Sequence, residues 1–293
     1  MKKILIIGSS GFIGASLINF FIKKYKKIKI YTISRKKNNT LINTKLINYN
    51  LDIKKITLLP NVDNIFYLIN SKNINLEKKN FFHFKKLLLK IKTKPKILLS
   101  SSGSVYGPTL KFKTFEETSK INIRKINLYK NYKKKYSINK LFLEKEFKKL
   151  SKKGFKVSIA RCFTFYGINI LKYNYAISNI INSLKNGKSI KLIDKSLVVR
   201  SYLHEEDMAK WLYKISEFPK NKCEIFNVGS DENIELVNFS KQLSKKYKTK
   251  VLFYNKRAKN KDIYLPNINK AKKLLKLKIT KKIKNNIHSI IKH

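Results

Sequence analysis

Short apolar runs alternate with amphipathic ones through the first half of the chain. KILIIG (3–8), IKIYTI (28–33), NIFYLI (64–69), PKILLSS (95–101) and KVSIAR (156–161) are short and rich in β-branched residues, which predicts buried strands. Between the first two, Ile13, Leu17, Phe20, Phe21 and Tyr25 recur at helical spacing, and FFHFKKLLLKI (81–91) reads as a further helix. Strands separated by helices imply right-handed crossovers and a parallel sheet covered on both faces. The polar stretches 34–45 and 111–127 read as loops inside this unit. Beyond about residue 165 the rhythm weakens. NYAISNIINSLKNG (174–187) and EEDMAKWLYKISEF (205–218) predict helices, CEIFNVG (223–229) a strand, and the Lys-rich tail 267–293 helix.

The pattern therefore predicts an α/β, doubly wound parallel sheet of Rossmann type with a smaller C-terminal substrate-binding lobe. Residues 1–165, with 200–229 returning, form the dinucleotide-binding domain, and 166–199 and 230–293 form the lobe.

Composition removes several alternatives. No apolar run approaches the ~18–20 residues that a bilayer span needs, so no membrane insertion is expected. Lys2-Lys3 before ILIIG faintly resembles a signal peptide, but Gly8 interrupts the apolar region early. Two cysteines, Cys162 and Cys223, make no disulfide framework and fit a reducing cytoplasm, the expected location. His83, His204, His288 and His293 show no zinc-like spacing, and no metal is expected. The formal charge of +50 is carried by lysines spread along the chain, and five of the 67 basic residues are arginines. Specific phosphate and base recognition favours Arg, so no specific nucleic-acid partner is expected despite nonspecific attraction to polyanions.

Candidate chemistry begins with glycine. The chain has nine glycines, yet Gly8, Gly11 and Gly14 fall within seven positions in GSSGFIG, between a predicted strand and a predicted helix. The first permits a tight turn, the second lets a pyrophosphate reach backbone N–H groups, and the third lets helix pack on strand. Phe12 and Ile13 open the helix whose N-terminus favours the phosphates. At the end of the second strand TISRKK places Ser34 where an acid would accept from a ribose 2′-hydroxyl, with Arg35 next. Ser plus Arg suits a 2′-phosphate, so NADPH is the expected cofactor and NAD the alternative. Asp52 and Ile53 would flank the adenine.

Two stretches bear on the reacting end. SSSGSVYG (100–107) follows a predicted strand and emerges at the carboxyl edge of the sheet, where ligands bind in open α/β folds. YSINK (136–140) sets Tyr136 and Lys140 one helical turn apart. Ionising a phenol at pH 7 costs about 4 kcal/mol, and an adjacent cation supplies ~1–3 of the ~3 pKa units required. In a chain with 16 tyrosines YxxxK alone says little; its weight comes from following the other two motifs in order.

Together with RCFTFYG (161–167), VRSYLHEEDMAKWL (199–212) and FNVGSDENIEL (226–236), these motifs resemble the extended short-chain dehydrogenase/reductase superfamily. Within it the chain is similar to the NAD-dependent epimerase/dehydratase family, which acts on nucleotide-diphosphate sugars. The resemblance implies Tyr136 as catalytic acid/base, Ser102 on the reacting sugar oxygen, and Lys140 on the nicotinamide ribose and the phenol. It implies Arg200 as a diphosphate clamp, Thr164 and Asn179 nearby, a loosely matched Asn80 before a helix, and a homodimer. Gly103 and Ser104 stand where sugar 4,6-dehydratases carry Asp-Glu, which disfavours dehydration. Thr164 replaces a frequent Asn, Tyr67 a common His, and Asp194-Lys195 interrupt a Gly-Asp-Gly turn. Arg257 is a further phosphate candidate. The expectation is a nucleotide-sugar enzyme working at C4, as a 4-keto reductase or a 4-epimerase, with a non-catalytic dinucleotide-binding or RNA-binding module as the distant rival.

Overall fold

The computed structural model describes residues 1–36, 45–218, 222–255 and 261–292, so Arg257 lies outside the described residues. Along the chain come β1 (Lys2–Ile7), α1 (Phe12–Lys24), β2 (Ile28–Ile33), β3 (Leu46–Tyr49), β4 (Asn64–Tyr67), α2 (Ile74–Leu88), β5 (Lys96–Ser102), α3 (Ile123–Asn127), α4 (Asn131–Lys152) and β6 (Lys156–Cys162). They are followed by β7 (Thr164–Tyr166), α5 (Ala176–Lys185), β8 (Ile190–Leu192), β9 (Leu197–His204), α6 (Glu205–Ser216) and β10 (Glu224–Val228). The chain ends in β11 (Asn233–Glu235), α7 (Leu236–Lys246), β12 (Val251–Phe253), β13 (Lys261–Tyr264), α8 (Asn269–Leu275) and α9 (Ile283–Lys292).

Seven strands form one sheet in the order β10-β6-β5-β4-β1-β2-β3, and every pairing from β3 to β6 is parallel. The sheet is the doubly wound Rossmann type that the alternation predicts. Its inner strands are apolar because helices cover both faces. Ile65, Tyr67, Leu99 and Ile159 pack with Phe81 and Phe84 of α2 and Leu143 and Phe147 of α4 in one core.

Two compact units divide the chain. The first comprises 1–107, 121–162 and 209–226, and the second 108–120, 163–208 and 227–293. In the second, β9 is the hub, pairing with β7, β11 and β13, while β8 and β12 form a separate parallel pair. Val199, Ile263 and Leu265 make a small core there. Buried carboxylates organise its loops: Asp207 accepts from the Thr280 N–H (2.8 Å), the Thr280 hydroxyl (2.6 Å) and the Lys281 N–H (3.0 Å).

Three expectations are corrected. NIFYLI ends as a strand at Tyr67, because Leu68 and Ile69 turn away to border a cleft. The second major helix starts at Ile74, so Asn80 lies inside it; Asn73 caps it by accepting the Leu76 N–H at 2.9 Å. The predicted loop 111–127 contains α3, from Ile123, and β3, which no apolar run predicts, pairs with β2 just after the stretch 34–45, of which residues 37–44 lie outside the described residues. The tail is helical as expected, in two short helices, α8 and α9.

Candidate active site

The glycine turn can be separated into what the fold needs and what it does not. Gly8 has φ +90°, and a Cβ there would lie 3.1 Å from the Leu68 carbonyl carbon. A Cβ on Gly14 would sit 2.5 Å from the Ser9 carbonyl oxygen, so only glycine lets α1 close against the turn. Gly11 is different. Its φ is −78°, and an added Cβ would meet at nearest the Gly8 oxygen, at an ordinary 3.6 Å. It caps α1 without a side-chain acceptor, at the end of the helix where the dipole favours an anion. Nothing in the packing of the first unit requires a glycine at position 11.

A cleft of about 270 Å³ opens at this turn, lined among others by Gly8, Gly11, Ser34, Arg35, Asp52 and Ile53. The structure thus brings these six sequence-predicted residues together. Phe12 and Ile13, half-buried at the start of α1, and Gly14 beneath it do not line the cleft. Ser34 is 8% exposed, and its hydroxyl donates to the Lys36 carbonyl at 2.6 Å, whereas Arg35 is exposed. One Asp52 oxygen accepts the Lys54 N–H at 3.0 Å.

The wall formed by residues 69–71 was marked in the sequence only by YLIN (67–70), where Tyr67 replaces a common His, and by the loose match at Asn80. Ser71 is held from three sides: its N–H donates to Glu77 (2.7 Å), its hydroxyl accepts from Asn80 (3.0 Å) and its carbonyl accepts from Asn139 (3.0 Å). Lys140, only 2% exposed, donates to the carbonyls of Ile69 (3.0 Å) and Ser100 (2.9 Å). An ammonium has three N–H bonds, so one of them has no acceptor among the described residues. The Lys140 nitrogen lies 5.7 Å from the centre of the Tyr136 ring, and Tyr136 stacks on Tyr132 at 6.2 Å. Burial lowers the Lys140 pKa, opposed chiefly by the charge of Glu77.

Ser102 ends β5, 5% exposed, and its oxygen accepts the Ser104 N–H at 3.1 Å. Beneath this edge runs a buried lattice that the motifs did not reveal. Glu144 on α4 accepts the Ser101 hydroxyl (2.6 Å) and grips Arg161 through two bonds (2.9 and 2.7 Å), while Arg161 also donates to the Tyr106 hydroxyl (2.9 Å). Burial alone would lower the Arg161 pKa, yet the bonds and charge of Glu144 raise it. Ser101, Tyr106, Glu144 and Arg161 thereby tie β5, the turn after it, α4 and β6 into one rigid support.

The remaining predicted residues belong to the second unit. Thr164 donates its hydroxyl to the Ser201 carbonyl, which commits it to the backbone. Asn179 is exposed on α5 and donates to the Asn174 side chain at 2.8 Å. Arg200 on β9 donates to the Asp262 carboxylate at 2.5 Å and to its carbonyl at 2.7 Å; its side chain is 15% exposed against 40% for Asp262. Among the described residues no group of His, Cys, Asp or Glu could hold a metal ion, and no helix is long and apolar enough to cross a membrane.

Similar proteins agree with this architecture. The curated relative described as a bifunctional polymyxin resistance protein, ArnA, of Wigglesworthia glossinidia brevipalpis is 27% identical over an alignment covering 99% of this chain and 51% of that protein. The chain thus spans about half the length of that relative. Among solved structures, a dTDP-glucose 4,6-dehydratase from Bacillus anthracis in complex with NAD superposes with a TM-score of 0.82 at 18% identity, covering 100% of this chain and 96% of that one. A UDP-glucose 4-epimerase from Thermotoga maritima with UDP-glucose gives 0.81 at 18%, over 99% and 97%. A UDP-glucuronic acid 4-epimerase from Bacillus cereus with UDP-glucuronic acid and NAD gives 0.78 at 19%, over 99% and 98%. Such identities show the fold. The family profile described as NAD dependent epimerase/dehydratase matches residues 4–229, and on that match the chain belongs to the NAD-dependent epimerase/dehydratase family.

Proposed function

We propose that this protein is an NAD(P)-dependent enzyme that works at C4 of a nucleotide-diphosphate sugar, with Tyr136 as its acid/base. The observation that carries the reading is the Tyr136–Lys140 pair, in which a buried ammonium stands 5.7 Å from the phenol ring with one N–H uncommitted. The residues fit a dinucleotide: Gly11 lacks a Cβ that the fold has no reason to exclude, and it lines the same cleft as Arg35 and Asp52. Gly8 and Gly11 would hold the pyrophosphate at the start of α1, with Phe12, Ile13 and Gly14 shaping the turn behind them, Asp52 and Ile53 the adenine, and Lys140 the nicotinamide ribose. When bound, the cofactor supplies hydride transfer.

The chain's own groups handle the proton. Tyr136 donates to the C4 oxygen during reduction of a ketone, or removes the proton of a 4-hydroxyl during epimerisation. Lys140 lowers the cost of the phenolate by the attraction of its charge, and Ser102 hydrogen-bonds the same oxygen. Arg200 exchanges the Asp262 carboxylate for the substrate diphosphate, with Thr164 and Asn179 as weaker neighbours.

A 4-keto reductase using NADPH is favoured over an epimerase because no acid ends β2 and the exposed Arg35 lines the cleft. The 4-epimerase reading is supported by the neighbouring UDP-glucuronic acid 4-epimerase, whose structure holds NAD. Incubation of the purified protein with NADPH and a 4-keto-6-deoxy sugar nucleotide separates the two: stoichiometric loss of 340 nm absorbance at about one cofactor per sugar marks a reductase. Interconversion of UDP-glucose and UDP-galactose with unchanged NAD marks an epimerase. Turnover of no sugar nucleotide, together with salt-sensitive RNA binding that survives Tyr136→Phe, would overturn the enzyme reading.

A further inference from the structure

Glu77 has no role in the chemistry above, yet it is a carboxylate with 0% exposure in a chain of 17 acidic and 67 basic residues. Burying an unpaired charge is expensive, so a buried carboxylate calls for a partner. Its position is set by Asn73, which starts α2, and by the Ser71 N–H that it accepts at 2.7 Å with one oxygen. The other oxygen is buried without a hydrogen-bond partner, as is the Tyr67 hydroxyl, on which the charge of Glu77 also acts. Burial raises the Glu77 pKa, and the charge of Lys140 is the first influence opposing it.

The groups facing Lys140 can be weighed one by one. From β6 comes Cys162, whose thiol is pushed up to about 11 by burial and is neutral at pH 7. From α4 come Tyr136, the group to be served, and Glu144, already matched by Arg161 at 2.7 and 2.9 Å. From α2 comes Glu77, whose carboxylate form the charge of Lys140 favours. The two helices also share one short wall, since Glu77 holds Ser71 from α2 while Asn139 and Lys140 hold Ser71 and Ile69 from α4.

We propose that Glu77 is a positioning residue: its carboxylate is the counter-ion that keeps buried Lys140 in the ammonium form, and its grip on Ser71 fixes the wall of residues 69–71 to which that ammonium is tied. The inference rests on the reading of Tyr136 and Lys140 as the reacting pair. Glu77 acts through Lys140 and touches neither substrate nor cofactor.

The test needs no substrate. Glu77→Gln keeps an acceptor for the Ser71 N–H and removes only the charge, while Glu77→Asp keeps the charge. Thermal melts of Glu77→Gln, Lys140→Met and the double variant form a cycle. The expected result is that the double variant melts well above the sum of the single losses. Additive losses overturn the proposal. Tyr136 ionisation is then read as the ultraviolet difference between each protein and its Tyr136→Phe counterpart. In Glu77→Gln it moves up by about one pH unit or more, because a neutral Lys140 no longer stabilises the phenolate, and in Glu77→Asp it stays near the wild-type value. An unmoved titration in Glu77→Gln overturns the proposal. Should Glu77→Gln not fold, the double variant, which buries neither charge alone, is expected to fold, and its failure to do so overturns the pair as well. Coupling in the cycle with no turnover of any sugar nucleotide would sink the enzyme reading and leave the ion pair standing; turnover without coupling does the reverse.

Discussion

The candidate groups of the first unit and those of the second are held in different ways. Lys140 is buried and fastened to the backbone carbonyls of Ile69 and Ser100, and buried Ser101 and Arg161 are both fastened to the Glu144 carboxylate. Their geometry is over-determined, as acid/base work demands when a proton must pass within hydrogen-bond reach. Arg200 keeps one nitrogen on the Val199 and Asp262 carbonyls, but its charge partner, the Asp262 carboxylate, and the Asn174 side chain on which Asn179 leans are both considerably exposed. Such partners can be exchanged for a ligand at small cost, since a half-exposed ion pair contributes little. One region is built to be stiff and the other to trade partners.

The largest test of that contrast is Glu144→Gln. It leaves Arg161 buried without its counter-charge, and stability should fall by about 3–5 kcal/mol. The matching change in the second unit, Asp262→Asn, should cost at most about 1 kcal/mol. Urea unfolding of both variants checks this, and equal losses would erase the distinction.

Acid provides the next test. His204 on β9 is 7% exposed, lies edge-on to Tyr166 at 5.0 Å, and has its pKa lowered by burial to about 4. The unfolded chain binds this proton near pH ~6.5, well before the folded one, so stability conferred by the neutral ring is complete above that value and declines as pH falls toward 4. Between pH ~7 and ~4.5 the loss attributable to His204 is about 2–3 kcal/mol. His204→Gln should abolish that share, read as the difference in urea midpoint between the two pH values. Hydrogen exchange should show the second unit's strands opening first.

Arg200→Ala should raise the substrate KM by about 10- to 100-fold, the loss of charge-assisted hydrogen bonds, while the melting temperature barely moves. A collapse in kcat with KM unchanged would transfer Arg200 from binding to catalysis.

How far the sequence reached follows the same divide. Six of the sheet's seven strands were legible because each is a local apolar run and the crossover helices carry their own periodicity, as in KILIIG and the helix from Phe12; β3, LINY with no buried residue, was not. The β9 hub was not: LVVRSYLH mixes faces, and its partners β7, β11 and β13 are three or four residues long and far apart in the chain. Glu77 hid in INLEKKN, a polar first turn that resembles a solvated face, although Asn73 gave a capping signal that would have started the helix earlier. Glu144 and Arg161 meet across a crossover, a pairing that spacing along one helix cannot reveal. Motifs mark the residues that meet ligands more readily than those that hold them in place.

Gly11→Ala has the smallest expected effect on the fold and is the most discriminating change. Gly14→Ala drives a methyl to within 2.5 Å of the Ser9 carbonyl oxygen, and overpacking of this kind costs about 1–3 kcal/mol. The same methyl on Gly11 meets nothing closer than 3.6 Å at a φ of −78°, so stability should stay within about 0.5 kcal/mol of wild type. If a pyrophosphate lies against that backbone, affinity for NAD(H) or NADP(H) should nonetheless fall about tenfold or more, measured by quenching of protein fluorescence, because the methyl occupies the approach to the helix N-terminus. A Gly11→Ala protein that keeps both stability and cofactor affinity would leave this glycine without a function and would move the phosphate site away from the start of α1.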